Sequence, residues 1–271
     1  MTFSPDFFTQ IINSYLPEPH ASLLNGIIFG VPLHGNKVLY KQLQVVGLLH
    51  IVVLSGMNIT IIAATVSHVL SGLSKRVSIV ITILIIIIFI AFVKPQAPII
   101  RAGFTGVLTL VSNITGRKTI ALYLLFVSAL FTALVWPQWI NTVSFQLSYA
   151  ATLGLILFSK KNTVQKEAKN AVGEVINYVK DEFATSMAAQ VFTVPVIFIY
   201  FRQVSLIAPV ANILIAWTIT PIMIIGFITA FLGSFNYYLG LVPAYICYGL
   251  ISYLVLVIEF LSKIPYVFIQ F

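Results

Sequence analysis

Charge is scarce in this chain, and its scarcity excludes a soluble domain. Only 8% of the 271 residues are charged and 59% are hydrophobic, whereas soluble domains carry roughly 25% charged residues. The single cysteine, Cys247, excludes an intramolecular disulfide. One uncharged stretch, Val77 to Val93, is long enough to cross a hydrocarbon core of roughly 30 Å as a helix. The composition therefore predicts an all-α, polytopic integral membrane protein.

Side chains for catalysis and metal binding are also few. The four histidines, His20, His34, His50 and His68, are scattered, and no cysteine pair accompanies them. No Gly-rich loop leads into Lys and Ser or Thr, so the chain has no ATPase phosphate loop. A nucleophilic role for Ser55 would need a base from another segment, and no histidine follows His68. We therefore predict no enzymatic activity, no catalytic residues, no metal and no cofactor.

The chain is predicted to form one transmembrane domain, 1–271. Within 1–42, apolar residues at three-to-four spacing predict an amphipathic interfacial helix, and a short apolar hairpin of roughly 23–33 follows it. The bundle itself is expected over 43–262. A lysine-rich amphipathic loop, 159–181, is expected at the cytoplasmic surface.

About eight membrane segments are predicted, some of them broken or half-depth helices. They run over about residues 43–70, 77–93, 98–113, 119–136, 140–158, 183–201, 204–232 and 241–262. The third and the fifth are short and rich in Thr, Ser, Gly and Asn. Either could therefore be a re-entrant helix that lines a cavity.

Lysine and arginine placement predicts the orientation of these segments, because short basic loops stay in the cytoplasm. One side receives Lys75, Arg76, Arg117, Lys118, Lys160, Lys161, Lys166, Lys169 and Lys180, and the other receives Lys37, Lys41, Lys94, Arg202 and Lys263. The first side is the more basic one and is predicted to be cytoplasmic. Both termini would then lie outside the cytoplasm.

Polar side chains recur at helical spacing inside three apolar segments. Arg101, Thr105, Thr109 and Ser112 share one helical face, since residues three or four apart stack on each other. The second and third stripes comprise Glu182, Ser186, Gln190 and Thr193, and Ser144, Ser148 and Thr152, with Gln146 on another face. Such stripes either join helices or line an aqueous passage. Because a guanidinium cannot lose its charge and needs an anion, carbonyl oxygens or water, Arg101 either lines such a passage or snorkels to the membrane interface beside Pro98.

Helix-breaking residues support a cavity within the membrane. We predict interruptions at Gly47, Pro98, Pro195, Pro209 and Pro221 and at the Ser-Gly pair in HIVVLSGMNI. A break there would expose backbone groups, with Asn58 one turn beyond. His50 either hydrogen-bonds between helices or serves the same passage.

Five stretches, in order, resemble the membrane competence domain of the ComEC/Rec2 family, the inner-membrane channel for DNA uptake. They are INSYLPEPHASLLNGIIFG, VVGLLHIVVLSGMNITIIAA, APIIRAGFTGVLTLVSNITGRK, FQLSYAATLGLIL and SLIAPVANILIAWTITPIMIIG, and they cover about residues 11–265. By matching position, the family's characteristic residues here are Gly47, His50, Ser55, Gly56, Pro98, Arg101, Ala102, Gly116, Arg117, Phe145, Gln146, Leu147, Ser148 and Asn212.

The resemblance implies passage of single-stranded DNA across the bacterial cytoplasmic membrane during natural transformation. The residues expected along the path are His50, Ser55, Gly56, Asn58, Arg101, Thr105, Gln146, Ser148, Gln190 and Asn212. Relatives typically also carry an OB-fold domain and a metallo-β-lactamase-like nuclease domain, which this sequence lacks. Besides DNA and membrane lipids, the expected partners are therefore separate OB-fold or nuclease proteins and a cytoplasmic helicase.

Two other functions stay open at the level of the sequence. The chain could be a secondary transporter or channel for a small anionic solute, with its site at the broken helices. It could also be a membrane scaffold for a partner nuclease that transports nothing, in which case the polar stripes would be tightly packed.

Overall fold

The computed structural model of the chain describes residues 4–33, 36–52, 55–116, 118–158, 171–265 and 268–270. The described residues form twelve α-helices and two short strands. The helices are α1 (Pro5–Tyr15), α2 (His20–Phe29), α3 (Lys37–Val46), α4 (Leu49–Val52), α5 (Gly56–Val69), α6 (Lys75–Val93), α7 (Ala97–Thr115), α8 (Ala121–Val135), α9 (Val143–Phe158), α10 (Ala171–Phe201), α11 (Ala208–Phe235) and α12 (Tyr237–Ser262); the strands are β1 (Gln203–Ser205) and β2 (Phe268–Gln270).

Helix length and hydropathy confirm the predicted class, an all-α polytopic membrane protein. In the part of the chain that the structure describes, five helices are long and apolar enough to cross a membrane: α6, α7, most of α10, α11 and α12. The apolar helices α2, α5, α8 and α9 are shorter. The predicted segment 98–113, for which a half-depth helix was one alternative, is the 19-residue helix α7 from Ala97 to Thr115.

The first predicted segment, 43–70, consists of three helices rather than one. Gly47 ends α3 in the left-handed conformation, with φ of 78°, which glycine adopts without steric cost. A Cβ at this position would also lie 2.6 Å from the Cβ of Ala208. The close approach and the positive φ both require glycine. The short α4 follows, and α5 begins at Gly56.

The α11–α12 pair is the centre of the hydrophobic core, and α1, α2 and α3 pack against it. Helix α2 is buried along most of its length. Gly226 of α11 admits it, because a Cβ there would clash with the side chains of Leu24 and Ile28. The predicted hairpin of roughly 23–33 is therefore incorrect: a single buried helix ends at Gly30. The sequence did not reveal this helix, because its ten residues show little contrast between an apolar and a polar face.

The amphipathic N-terminal helix is present as α1. Its Ile12 is buried, and Phe8 packs edge-on against Phe92 of α6. At the other end, Tyr15 stacks on Tyr237 at 4.7 Å between ring centroids, and its hydroxyl donates a hydrogen bond to the Tyr237 carbonyl at 2.7 Å. The apolar face of α1 is thus attached to the bundle.

The remaining helices form two connected groups. Helices α5, α6 and α7 pack together, and α7 also contacts α8 and α9. Helix α9 packs closely on α10, where Gly154 faces the carbonyl oxygen of Ala188 and leaves no room for a Cβ. Small residues allow this close approach of membrane helices.

A two-stranded antiparallel sheet closes one end of the molecule. Strand β1 pairs with β2, with Val204 opposite Ile269. The predicted segment 204–232 was wrong at its start, because the chain is extended at β1 and the helix begins only at Ala208. The sheet also holds α3: the Gln44 amide donates to Gln203 Oε1 at 2.6 Å, and Ser205 Oγ donates to the Val45 carbonyl at 2.7 Å.

The predicted helix breaks have different outcomes at the four prolines. Pro98 and Pro209 lie in the first turns of α7 and α11, where the missing N–H costs no hydrogen bond. Pro195 and Pro221 lie inside helices that continue through them, so the interruptions expected there are incorrect. Membrane helices tolerate an internal proline because neighbours or local adjustments satisfy the freed carbonyl.

The predicted surface loop 159–181 is only partly within the described residues. Residues 159–170 lie outside them. From Ala171 the chain is helical and continuous with the membrane helix α10. The second half of the predicted loop is therefore the first part of α10.

The contact between α9 and α10 generates a stability prediction. We expect Gly154→Ala to lower stability by about 1–3 kcal/mol, the usual cost of overpacking, because the methyl group would meet the Ala188 backbone. Gly106→Ala is the matched control, since nothing lies within 4 Å of a Cβ at Gly106. The buried Cys247, the only cysteine, reports unfolding when a thiol reagent labels it during a temperature ramp. Equal labelling temperatures for both variants would contradict the close packing.

Candidate functional site

Arg101 lies in the second turn of α7 and contacts two other helices. Its Nε donates a hydrogen bond to Ser148 Oγ of α9 at 2.9 Å. Its guanidinium also lies over the backbone at the start of α5, because a Cβ on Gly56 would be 2.7 Å from the terminal nitrogen Nη2. We name Gly56, Arg101 and Ser148 the Arg101 junction. The fold brings these three residues together from positions far apart in the sequence.

The partner of the Arg101 charge at this junction is a neutral hydroxyl. A charge at the centre of a bilayer costs on the order of 3 kcal/mol or more unless water, polar groups or an anion compensate it. One hydroxyl fills one of the five N–H donors of a guanidinium. The Arg101 junction therefore has donor capacity left for an anionic group.

The break before α5 is tied to the end of α2. Ser55 Oγ donates to Asn58 Oδ1 at 3.2 Å, and Asn58 Nδ2 donates to the Ile27 carbonyl at 2.7 Å. Ile27 lies in the last turn of α2, where carbonyl groups lack partners within the helix. Asn58, only 3% exposed, thus caps a second helix. This contact gives Asn58 a structural role that its position in the sequence did not reveal.

His50 lies beside the first break. Its Nδ1 is 3.1 Å from the carbonyl oxygen of Gly47, and the residue is exposed. The imidazole therefore completes the turn between α3 and α4. Its hydrogen bond is to the Gly47 carbonyl and not to a residue of the Arg101 junction.

The polar stripe on α7 bonds mainly to its own helix. Thr105 Oγ1 donates to the Arg101 carbonyl at 2.9 Å, and Thr109 Oγ1 donates to the Thr105 carbonyl at 2.8 Å. Threonine hydroxyls commonly satisfy themselves in this way within helices. Their surroundings are nevertheless open, since Thr109 is exposed and nothing lies within 4 Å of a Cβ at Gly106. This face of α7 is thus uncovered beyond the Arg101 junction.

The other predicted path residues make separate contacts. Asn212 of α11 donates to Ser186 Oγ of α10 at 2.9 Å, and Gln190 lies one turn after Ser186. The Gln146 amide reaches the Ile140 carbonyl at 3.5 Å, at the start of α9. The structure therefore places some predicted residues at the Arg101 junction, at the Asn58–Ile27 contact and at the α10–α11 contact, while His50 and Gln146 make separate contacts.

Two surface cavities are lined by residues other than Gly56, Arg101 and Ser148. One, of about 720 Å³, is an apolar groove between α8 and α9 that Phe126 and Leu153 help to line. The other, of about 410 Å³, lies between α3 and the end of α12. Neither is lined by the residues of the junction. There the guanidinium lies over Gly56, where a Cβ would be 2.7 Å from Nη2.

The sequence did not reveal two contacts that fix these elements. Gln44 and Gln203 are 159 residues apart and bond through their side chains. The Ile27 carbonyl is a backbone acceptor, which no residue pattern identifies. Ser186 did give a signal, since its spacing of four from Gln190 placed both on one face of the helix.

Comparisons with known proteins point to the same family as the sequence stretches described above. The model of the Competence protein family matches residues 27–271. The chain is also 20% identical over 204 residues to ComE operon protein 3 of Bacillus subtilis (strain 168), which covers 74% of this chain and 25% of that protein. The chain thus spans about a quarter of the length of this relative. No solved structure matches it. The resemblance expected from the sequence is confirmed, and the chain belongs to the Competence protein family.

Proposed function

We propose that this membrane bundle forms a path for single-stranded DNA across the cytoplasmic membrane during DNA uptake. Membership of the Competence protein family supports a role in competence and DNA uptake. The name of the B. subtilis relative, ComE operon protein 3, fits the same process. The inner-membrane location, the orientation with both termini outside the cytoplasm and the identity of the strand are parts of this proposal.

One observation carries the proposal: the Arg101 guanidinium is held between three helices by a neutral partner. A phosphate can replace the Ser148 hydroxyl as acceptor, because arginine binds phosphate through two parallel N–H donors. A single charge along the path suits transit, since each phosphate that is neutralised adds affinity and slows release. The uncovered face of α7 beyond Thr105 would continue the path.

Opening of the path would move α5 relative to α7. Gly56 has no side chain, so separation of the two helices would uncover its backbone together with the guanidinium. The hydrogen bond from the Asn58 amide to the Ile27 carbonyl connects the same end of α5 to α2. A change in the position of α5 would therefore alter the hydrogen bond between Asn58 and the Ile27 carbonyl at the end of α2.

We infer that the chain moves its substrate without catalysing a reaction. The Ser55 hydroxyl donates to an amide oxygen, and Ser148 accepts from a cation, whereas a nucleophilic serine needs a base as its partner. In this proposal, nuclease, OB-fold and helicase functions lie outside the membrane bundle.

A second candidate function is transport of a small anionic solute. The end of α2 meets the start of α5 inside the protein through Asn58 and the Ile27 carbonyl, and transporters build their binding sites from such helix ends. This alternative predicts a compact site that holds one anion. A short oligonucleotide and an inorganic anion distinguish the two functions in the experiments below.

Neutralising Arg101 tests the proposal directly. We expect Arg101→Gln to reduce uptake of a fluorescent single-stranded oligonucleotide into proteoliposomes by roughly tenfold, since a charge-assisted hydrogen bond contributes about 1.5 kcal/mol or more. Arg101→Lys keeps the charge but loses the Nε donor to Ser148, so we expect an intermediate rate.

Lys118→Gln is the matched control for this experiment, because it removes one exposed positive charge just beyond α7. Its uptake should equal that of the wild type. Equal uptake by Arg101→Gln and wild type, at equal protein abundance, would overturn the assignment. If Arg101→Gln abolished uptake of inorganic phosphate while the oligonucleotide never entered, the small-anion function would be correct.

Water along α7 provides an independent prediction. In a Cys247→Ser background, we expect a charged thiol reagent to label Thr105→Cys and Thr109→Cys roughly tenfold faster than Ile88→Cys, because thiolates form in water and not in lipid. Ile88 is an exposed apolar residue of α6 and serves as the lipid-facing control. Single-stranded DNA should slow labelling at Thr105→Cys. Labelling of Thr105→Cys and Thr109→Cys as slow as that of Ile88→Cys would contradict an aqueous path.

A further inference from the structure

Helix α3 lies at the sheet end of the molecule and is amphipathic. Its inward face is buried and consists of Leu39, Leu43 and Val46. Its outward face is exposed and comprises Lys37, Val38, Tyr40 and Lys41. The two lysines are four residues apart, so they project from the same face of the helix.

The outward face borders a cavity of about 410 Å³ that is open to the surface. It is lined by Lys37, Val38, Lys41, Gln42 and Val45 of α3 and by Ser262 of α12. This volume lies within the range of roughly 300–1,000 Å³ that small-ligand sites occupy. Ser262 donates its hydroxyl hydrogen to the Glu259 carbonyl. The two lysine ammonium groups and the Gln42 side-chain amide are therefore the donors that this lining offers to an anion.

The cavity is fixed in place by contacts at the far end of α3. Gln44 bonds to Gln203 and the Val45 carbonyl accepts from Ser205, so β1 holds the helix against the bundle. The same end carries two further exposed cations, Arg202 before β1 and Lys263 after α12. Three chain segments thus give this end of the molecule a positive charge.

Exposed apolar side chains beside the lysines indicate what the cavity binds. Val38 is 70% exposed and Tyr40 is 47% exposed, which is unfavourable in water and favourable at a membrane interface. Lysines on such a helix are attracted to anionic headgroups. We propose that the cleft between α3 and the end of α12 binds the phosphate headgroup of an anionic phospholipid and fixes α3 in the interface. This site is independent of the Arg101 junction and of the proposed DNA path.

The test compares lipids on the purified full-length chain in detergent. We expect phosphatidylglycerol to bind more tightly than phosphatidylcholine in native mass spectrometry. Because each lysine near an anionic surface contributes about fivefold, K37Q/K41Q should weaken phosphatidylglycerol binding roughly 25-fold. K75Q/R76Q is the matched control, since it removes two exposed cations at the start of α6. Its affinity for phosphatidylglycerol should equal that of the wild type.

A second variant keeps the charge and fills the cavity. Val45→Phe places a ring in the cleft, so it should also weaken phosphatidylglycerol binding; this remains informative if K37Q/K41Q does not fold. Equal binding of both lipids by the wild type, or equal loss in K37Q/K41Q and K75Q/R76Q, would overturn the proposal. Displacement of the lipid by a thymidine oligonucleotide would overturn it in favour of a nucleic-acid site, and displacement by inorganic phosphate in favour of a free-anion site. Retention of the lipid against both competitors supports it.

Discussion

Polar groups inside a membrane must be satisfied by the protein itself, and this constraint determines how the broken helices of the chain are joined. A buried polar group without a partner costs several kcal/mol in hydrocarbon. Helix α2 ends inside the protein. The Asn58 amide of α5 donates a hydrogen bond to the Ile27 carbonyl and so removes this cost. The Arg101 charge on α7 is bonded in turn by Ser148 of α9. Short helices are tolerated here because each supplies the polar partner of another.

The same hydrogen bonds couple the start of α5 to both of its neighbours. Asn58, which accepts a hydrogen bond from Ser55, attaches it to the Ile27 carbonyl of α2, and Gly56 lies against the guanidinium of Arg101. Individual hydrogen bonds contribute only about 0.5–1.5 kcal/mol net, so a rearrangement that breaks one or two of them is thermally accessible. The charge is different, because it needs a new partner wherever it goes. A phosphate arriving at Arg101 would supply that partner and thereby favour an open arrangement.

The fold class followed from the sequence because hydropathy is a direct consequence of membrane solvation. The uncharged stretch to Val93 became α6, and Gly47 marked a helix end through its positive φ. Pro195 and Pro221 misled, because an internal proline can be accommodated where neighbouring helices pack. Part of the candidate site was identified, since Arg101 and Ser148 are unusual in apolar segments. Their pairing was not, because no local pattern connects residues 47 positions apart.

Burial differs between the two halves of the bundle, and the Arg101 junction lies on the less buried side. The α11–α12 pair and α2 carry much of the buried core, whereas within the described part of α9 Gly154 is the buried residue. Ser148 is on α9, so its position depends largely on the close crossing of α9 with α10 at Gly154 and Ala188. Elements with few buried apolar contacts open at lower free energy than the core. The proposed path at this junction would therefore form by displacement of α9, or of α5 with loss of the Asn58–Ile27 contact, while the α11–α12 core stays intact.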